Sequence, residues 1–98
     1  MSWRVEFTKR AAKEVAAIPK KQRIMILAWI QKNLADCDNP RVVIGGKQLV
    51  GTQAGWRWRA GNYRILGRLK DEVLLIEVVR VGHRHGVYKN LPELKLQI

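Results

Sequence analysis

Apolar and polar residues alternate along Trp3, Arg4, Val5, Glu6 and Phe7. That period of two predicts a half-buried strand, because successive side chains of an extended chain leave by opposite faces. At Thr8 the period changes. Its hydroxyl can accept from the first unpaired amides of a helix, and Ala11, Val15 and Ile18 follow at helical spacing, which predicts a helix over residues 9–17. Lys9, Arg10 and Lys13 fall off that line toward water, and Glu14 stands four residues after Arg10, the separation of a weak helical ion pair. Pro19 cannot continue an established helix but can open one, so a second helix is expected over residues 20–36. Its apolar line is Ile24, Leu27, Ile30, Gln31 and Leu34, widened by Met25, Ile26 and Trp29. On so apolar a helix Trp29 is read as core rather than as a base-stacking ring. Two helices joined at a proline form a hairpin that covers one sheet face.

Asp36-Cys37-Asp38-Asn39-Pro40 is a break rich in turn formers. Residues 41–55 read as a connection with a few apolar anchors, and Gly45-Gly46-Lys47 lacks the spacing of a P-loop. Beyond it, Trp56 and Trp58 alternate with Arg57 and Arg59, so one strand face carries indoles and the other guanidiniums. Gly61-Asn62 supplies a turn. A strand over residues 63–69 then sets Arg64, Leu66 and Arg68 opposite Tyr63 and Ile65. Lys70-Asp71 is a further turn, and the apolar run over residues 72–81 reads as a central strand covered on much of both faces. Gly82 stops it, ahead of His83-Arg84-His85-Gly86-Val87-Tyr88. The predicted fold is α+β, a single domain over residues 1–98: an N-terminal strand, a two-helix hairpin, then a mainly antiparallel sheet of three C-terminal strands.

Charge changes the picture from a fold to a surface. The chain carries 19 Lys and Arg against 8 Asp and Glu, a formal net charge of +11. An excess of that size favours a polyanionic partner such as RNA, DNA, a ribosome or an acidic protein. From Arg41 onward eleven cations face only four acids, so the excess sits with the strands. The single cysteine, Cys37, excludes an intrachain disulfide, and its neighbours Asp36 and Asp38 oppose thiolate formation. No apolar run resembles a signal peptide or reaches the roughly 18 residues of a membrane span. The expectation is a soluble cytoplasmic protein without a membrane partner.

The chemistry on offer is guanidinium and proton transfer. Arginine cannot act as a base at neutral pH, but its planar fork binds phosphate oxygens bidentately. Arg57, Arg59, Arg64 and Arg84 converging on one surface would suit a phosphodiester whose charge rises in the transition state. An ordinary solvated sheet face is the plain alternative, but such faces mix signs and this one hardly does. His83, His85 and Tyr88 are the nearby proton-transfer candidates. Each alone could be structural, a strand-end cap or a packed ring. Two histidines without a cysteine or carboxylate cluster fall short of a zinc set, so no metal or cofactor is expected.

Taken together, Leu49-x-Gly51, Gly55-Trp56-Arg57-Trp58-Arg59, Gly61-Asn62-Tyr63-Arg64, Val81-Gly82-His83-Arg84 and Val87-Tyr88 resemble the RelE/ParE toxin superfamily over almost the whole chain. The RelE branch implies a compact RNase fold and a toxin encoded beside a cognate antitoxin. It further implies a metal-independent endoribonuclease that cuts ribosome-bound mRNA by 2′-hydroxyl attack on the adjacent phosphate, inhibiting translation. By motif, Arg64 and Arg84 are the phosphate and transition-state binders, and Tyr88 a stacking or proton-transfer residue. His83 and His85 are acid/base candidates, and Arg57 and Arg59 RNA contacts, with Arg68 and Lys47 extending that surface. The position of Gly67, often aromatic in the family, would open the sheet face or lose a packing ring, and Asn62 stands where an acid is frequent. A ParE-like gyrase inhibitor without nuclease activity, and a non-catalytic RNA- or ribosome-binding module, are the alternatives.

Overall fold

The N-terminal alternation forms strand β1 (Arg4–Phe7), and the chain turns at Thr8 into helix α1 (Lys9–Ala17). These ranges come from a computed structural model, which describes residues 2–51 and 54–87. Thr8 Oγ1 accepts from the Ala11 amide at 3.1 Å, the cap its hydroxyl predicts. Helix α2 (Lys20–Asn33) starts directly after Pro19. Arg23 ties the corner, Nη1 donating to the Ala16 and Ile18 carbonyls at 3.2 and 3.3 Å. These carbonyls end α1 and lack helical partners.

Helix α2 stops three residues short of the expected end, and Asp36 then takes a left-handed φ of 61°. Its buried line is Ile26, Ile30 and Leu34, with Trp29 half-buried against the core, while Ile24 and Leu27 are exposed. The apolar arc is wide enough that periodicity alone cannot set the rotation; the surface beneath decides it.

After a 3-10 turn at Pro40–Val42 come β2 (Lys47–Gln48), β3 (Gly55–Ala60), β4 (Tyr63–Lys70) and β5 (Leu75–His83). They make one sheet in the order β1-β5-β4-β3-β2, with β1 parallel to β5 and the other pairs antiparallel. The short β2 lies in the stretch read from sequence as a connection. Of the anchors there, Val43 packs on the core but Val42 and Ile44 are exposed. Between β4 and β5 the turn is a 3-10 turn at Asp71–Val73, followed by Leu74 in the left-handed region.

The core lies between the helices and one sheet face, around fully buried Trp58, whose Nε1 donates to the Pro40 carbonyl at 3.0 Å. Trp58 also explains Gly67. The β4–β5 register shifts between Leu66 and Gly67, and a Cβ on Gly67 would stand 3.0 Å from the Glu77 carbonyl oxygen and 3.2 Å from the Trp58 ring. The expected missing ring is therefore the indole of Trp58, covering the glycine from the neighbouring strand.

Just beyond this irregularity, Arg80 Nε donates to Glu14 Oε2 at 2.9 Å, while the Val81 amide donates to Glu14 Oε1 at 3.0 Å. Pairing with β1 ends at Phe7 opposite Val78, so Glu14 supplies the acceptor that a neighbouring strand would have given. Glu14 thus reaches across 66 residues of sequence, to Arg80. On the face away from the helices, Leu66, Val79 and Val87 form a second small cluster with Leu49.

Candidate nucleic-acid interface

One end of the sheet gathers the β3–β4 turn and the end of β5, because Ala60 pairs with Tyr63 and Tyr63 with His83. Gly61 makes that turn with φ of 62°, a conformation that glycine adopts without steric cost. The Arg84 amide donates to the Asn62 carbonyl at 2.9 Å, which joins the two turns. The amides of Gly86 and Val87 both donate to the His83 carbonyl, at 3.0 and 3.1 Å, so residues 83–87 form a closed turn that returns Val87 over Gly82.

On this frame Arg59 and Arg64 are direct cross-strand partners. Like charges in that relation repel. Arg64 Nη1 donates to the Gly61 and Tyr63 carbonyls at 3.0 Å each, which folds its guanidinium around the end of the sheet. Arg57 lies one step inward, opposite Leu66, and donates to the Gly45 carbonyl at 3.1 Å; exposed Lys47 is its partner on β2. His83, Arg84 and His85 are exposed. The His83 ring meets Tyr63 edge-on at 5.8 Å and stacks on His85 at 5.0 Å. Tyr88 lies outside the described residues.

The guanidiniums divide by partner. Arg41 holds Asp71 with two bonds of 2.9 and 2.8 Å, Arg68 meets Glu77 at 2.8 Å, and Arg80 meets Glu14 at 2.9 Å. Among the described residues no carboxylate lies within 4.0 Å of Arg57, Arg59, Arg64 or Arg84. Arg68 was expected in the same surface as these four, but its charge is matched by Glu77, with Lys70 also 3.7 Å from that carboxylate. The acids thus neutralise the interior and far end of the sheet and leave the turn end cationic. Sequence reading missed Asn62 as the tie to Arg84, although a Gly-Asn turn before Tyr-Arg was its visible signal. Among the described residues no three His, Cys, Asp or Glu side chains group as metal ligands, and no helix is long and apolar enough to cross a membrane. The Cys37 thiol is pushed up, first by burial and then by Asp38 and Asp36.

A family model described as the ParE toxin of type II toxin–antitoxin system, parDE, matches residues 5–88. The chain belongs to this family. It is also similar to Toxin RelG of Mycobacterium tuberculosis, 27% identical over 92 residues that span 91% of this chain and 99% of RelG. Its fold is that of RelE toxins. A mutant Escherichia coli RelE in the free state superposes with a TM-score of 0.69 at 21% identity, covering 99% of this chain and 94% of that one. The RelE of a RelE–RelB complex from Pyrococcus horikoshii OT3 gives 0.69 at 24% identity, covering 89% and 100%. The two helices and five-stranded mixed sheet of this RelE/ParE toxin are therefore the superfamily's architecture.

Proposed function

We propose that this toxin is a RelE-like endoribonuclease that cleaves mRNA on the ribosome and so inhibits translation. The observation that carries the reading is that Arg59, Arg64 and Arg84 lie about the two joined turns with no carboxylate partner among the described residues. Holding like charges together without carboxylates costs stability, and an anionic ligand offsets that cost.

In the proposed reaction the ribose 2′-hydroxyl loses its proton to a general base and attacks the adjacent phosphorus. The bond to the 5′-oxygen breaks, that oxygen takes a proton, and a 2′,3′-cyclic phosphate and a 5′-hydroxyl result. Arg64 and Arg84 bind the phosphoryl oxygens, whose charge grows as the bond forms. Tyr88, His83 or His85 moves the protons, and Arg57, Arg59 and Lys47 steer the strand. The nucleophile is the substrate's own hydroxyl, so the route calls for no cofactor. An antitoxin, as in the RelB–RelE antitoxin–toxin complex of Methanococcus jannaschii, is the proposed protein partner, and the cytoplasm, where ribosomes translate, is the proposed location.

A second reading, a ParE-like inhibitor of DNA gyrase, is favoured by the family model's own description. A ribosome-programmed cleavage assay separates the two. Wild type is expected to cut mRNA, and Arg84→Ala to slow cutting by ~10²-fold or more. Intact mRNA with gyrase poisoned instead would overturn the nuclease reading.

A further inference from the structure

His83 and His85 form a pair of rings at the sheet end. Their rings are stacked, 5.0 Å between centroids and 30° between planes, and both residues are exposed. Three contacts hold the arrangement: the His83 ring against the edge of Tyr63 at 5.8 Å, the His85 amide approaching His83 Nδ1 at 3.4 Å, and the Arg84 amide on the Asn62 carbonyl at 2.9 Å. Tyr63 is the common neighbour. Its ring meets His83, and its carbonyl accepts from Arg64 Nη1 at 3.0 Å. A stack of rings and a guanidinium thus flank a single residue.

We infer that the His83–His85 pair is a shelf for one nucleobase of single-stranded RNA, next to the phosphate held by Arg64 and Arg84. This rests on the nuclease reading and adds a base subsite to it. Rings presented beside a cationic groove take unstacked bases of any identity, because every base has a π-face. A base still paired and stacked in a duplex cannot enter. The shelf therefore selects single strands, with His85 as a base-contact residue for the scissile nucleotide and His83 as its positioning residue. His85 touches the base, and His83 supports His85 from beneath.

The test uses the full chain and two short RNA strands, one with 2-aminopurine at a central position and one with an abasic ribose there. Stacking should quench the 2-aminopurine, and the abasic strand should bind about tenfold more weakly. His85→Ala should weaken the 2-aminopurine strand by about tenfold and leave the abasic strand unchanged, while His85→Phe, which keeps a ring but no exchangeable proton, should restore binding. Equal binding of the two strands, or a Phe variant as weak as Ala, overturns the shelf. Arg84→Ala reports on the underlying reading, since phosphate binding requires it to weaken both strands. If it weakens neither, the phosphate reading falls; if it weakens both while the strands bind alike, the shelf alone falls.

Discussion

At the scale of residues, what distinguishes one arginine here from another is its neighbour. Arg41 lies 5.9 Å from the centre of the Trp56 ring and closes a bidentate pair on Asp71, which holds that carboxyl below its ordinary range by hydrogen bonding. The same bonds raise Arg41. Because the folded-state pKa of Asp71 is depressed, the pair's stabilisation is complete above the unfolded carboxyl pKa. It drains away as pH falls through the lowered folded value. Both partners are well exposed, so solvent screening keeps the effect small. Thermal melts from neutral to strongly acid pH should show Asp71→Asn less stable at neutral pH, with the difference shrinking to nothing in acid. A constant difference would mean that Asp71 acts by packing alone. Residue types suggest phosphate binding by Arg57, Arg59, Arg64 and Arg84, and nothing in the sequence assigns Arg68 to Glu77. That pairing follows from the cross-strand register.

At the scale of elements, the termination of β1 leaves a gap that α1 fills. Glu14 answers both the Arg80 guanidinium and the Val81 amide where β5 runs past its parallel neighbour. Removing one partner of a largely buried pair strands the other charge. Glu14→Ala is therefore expected to cost roughly 3 kcal/mol in urea denaturation, and Glu14→Gln less, since its amide oxygen still accepts from Val81. A Glu14→Ala midpoint equal to that of wild type would refute this account. The helices were legible because their signals are local: Thr8 as a cap, Pro19 as a break, apolar spacing between. The rotation of α2 was not, because Ile24 and Leu27 are as apolar as the buried Ile26 and Ile30. The short β2 was invisible because pairing with β3, rather than its own pattern, defines it.

At the scale of the whole molecule, the carboxylates among the described residues of the sheet pair with arginines away from the joined turns and leave the turn end cationic, in a chain of net charge +11. RNA binding should then weaken steeply with salt through counterion release. Arg59→Ala is expected to reduce the slope of log affinity against log salt by roughly 0.7, the value for one single-strand phosphate contact. Arg68→Ala, whose charge Glu77 already matches, should leave it nearly unchanged. Titrations at several salt concentrations check both, and equal slopes for all three proteins would remove the divided-charge account. The sequence by itself determined the α+β class, the helix boundaries at Thr8 and Pro19, the indole-in and guanidinium-out faces of β3, and the superfamily. Each is written in local periodicity or in a short motif. Only the tertiary structure decided that β1 lies parallel to β5, that Trp58 covers Gly67, that Glu14 reaches Arg80, and which arginines at the joined turns have no carboxylate partner among the described residues. Those outcomes depend on contacts between residues far apart in the chain, whose partners are chosen by register and packing rather than by spacing.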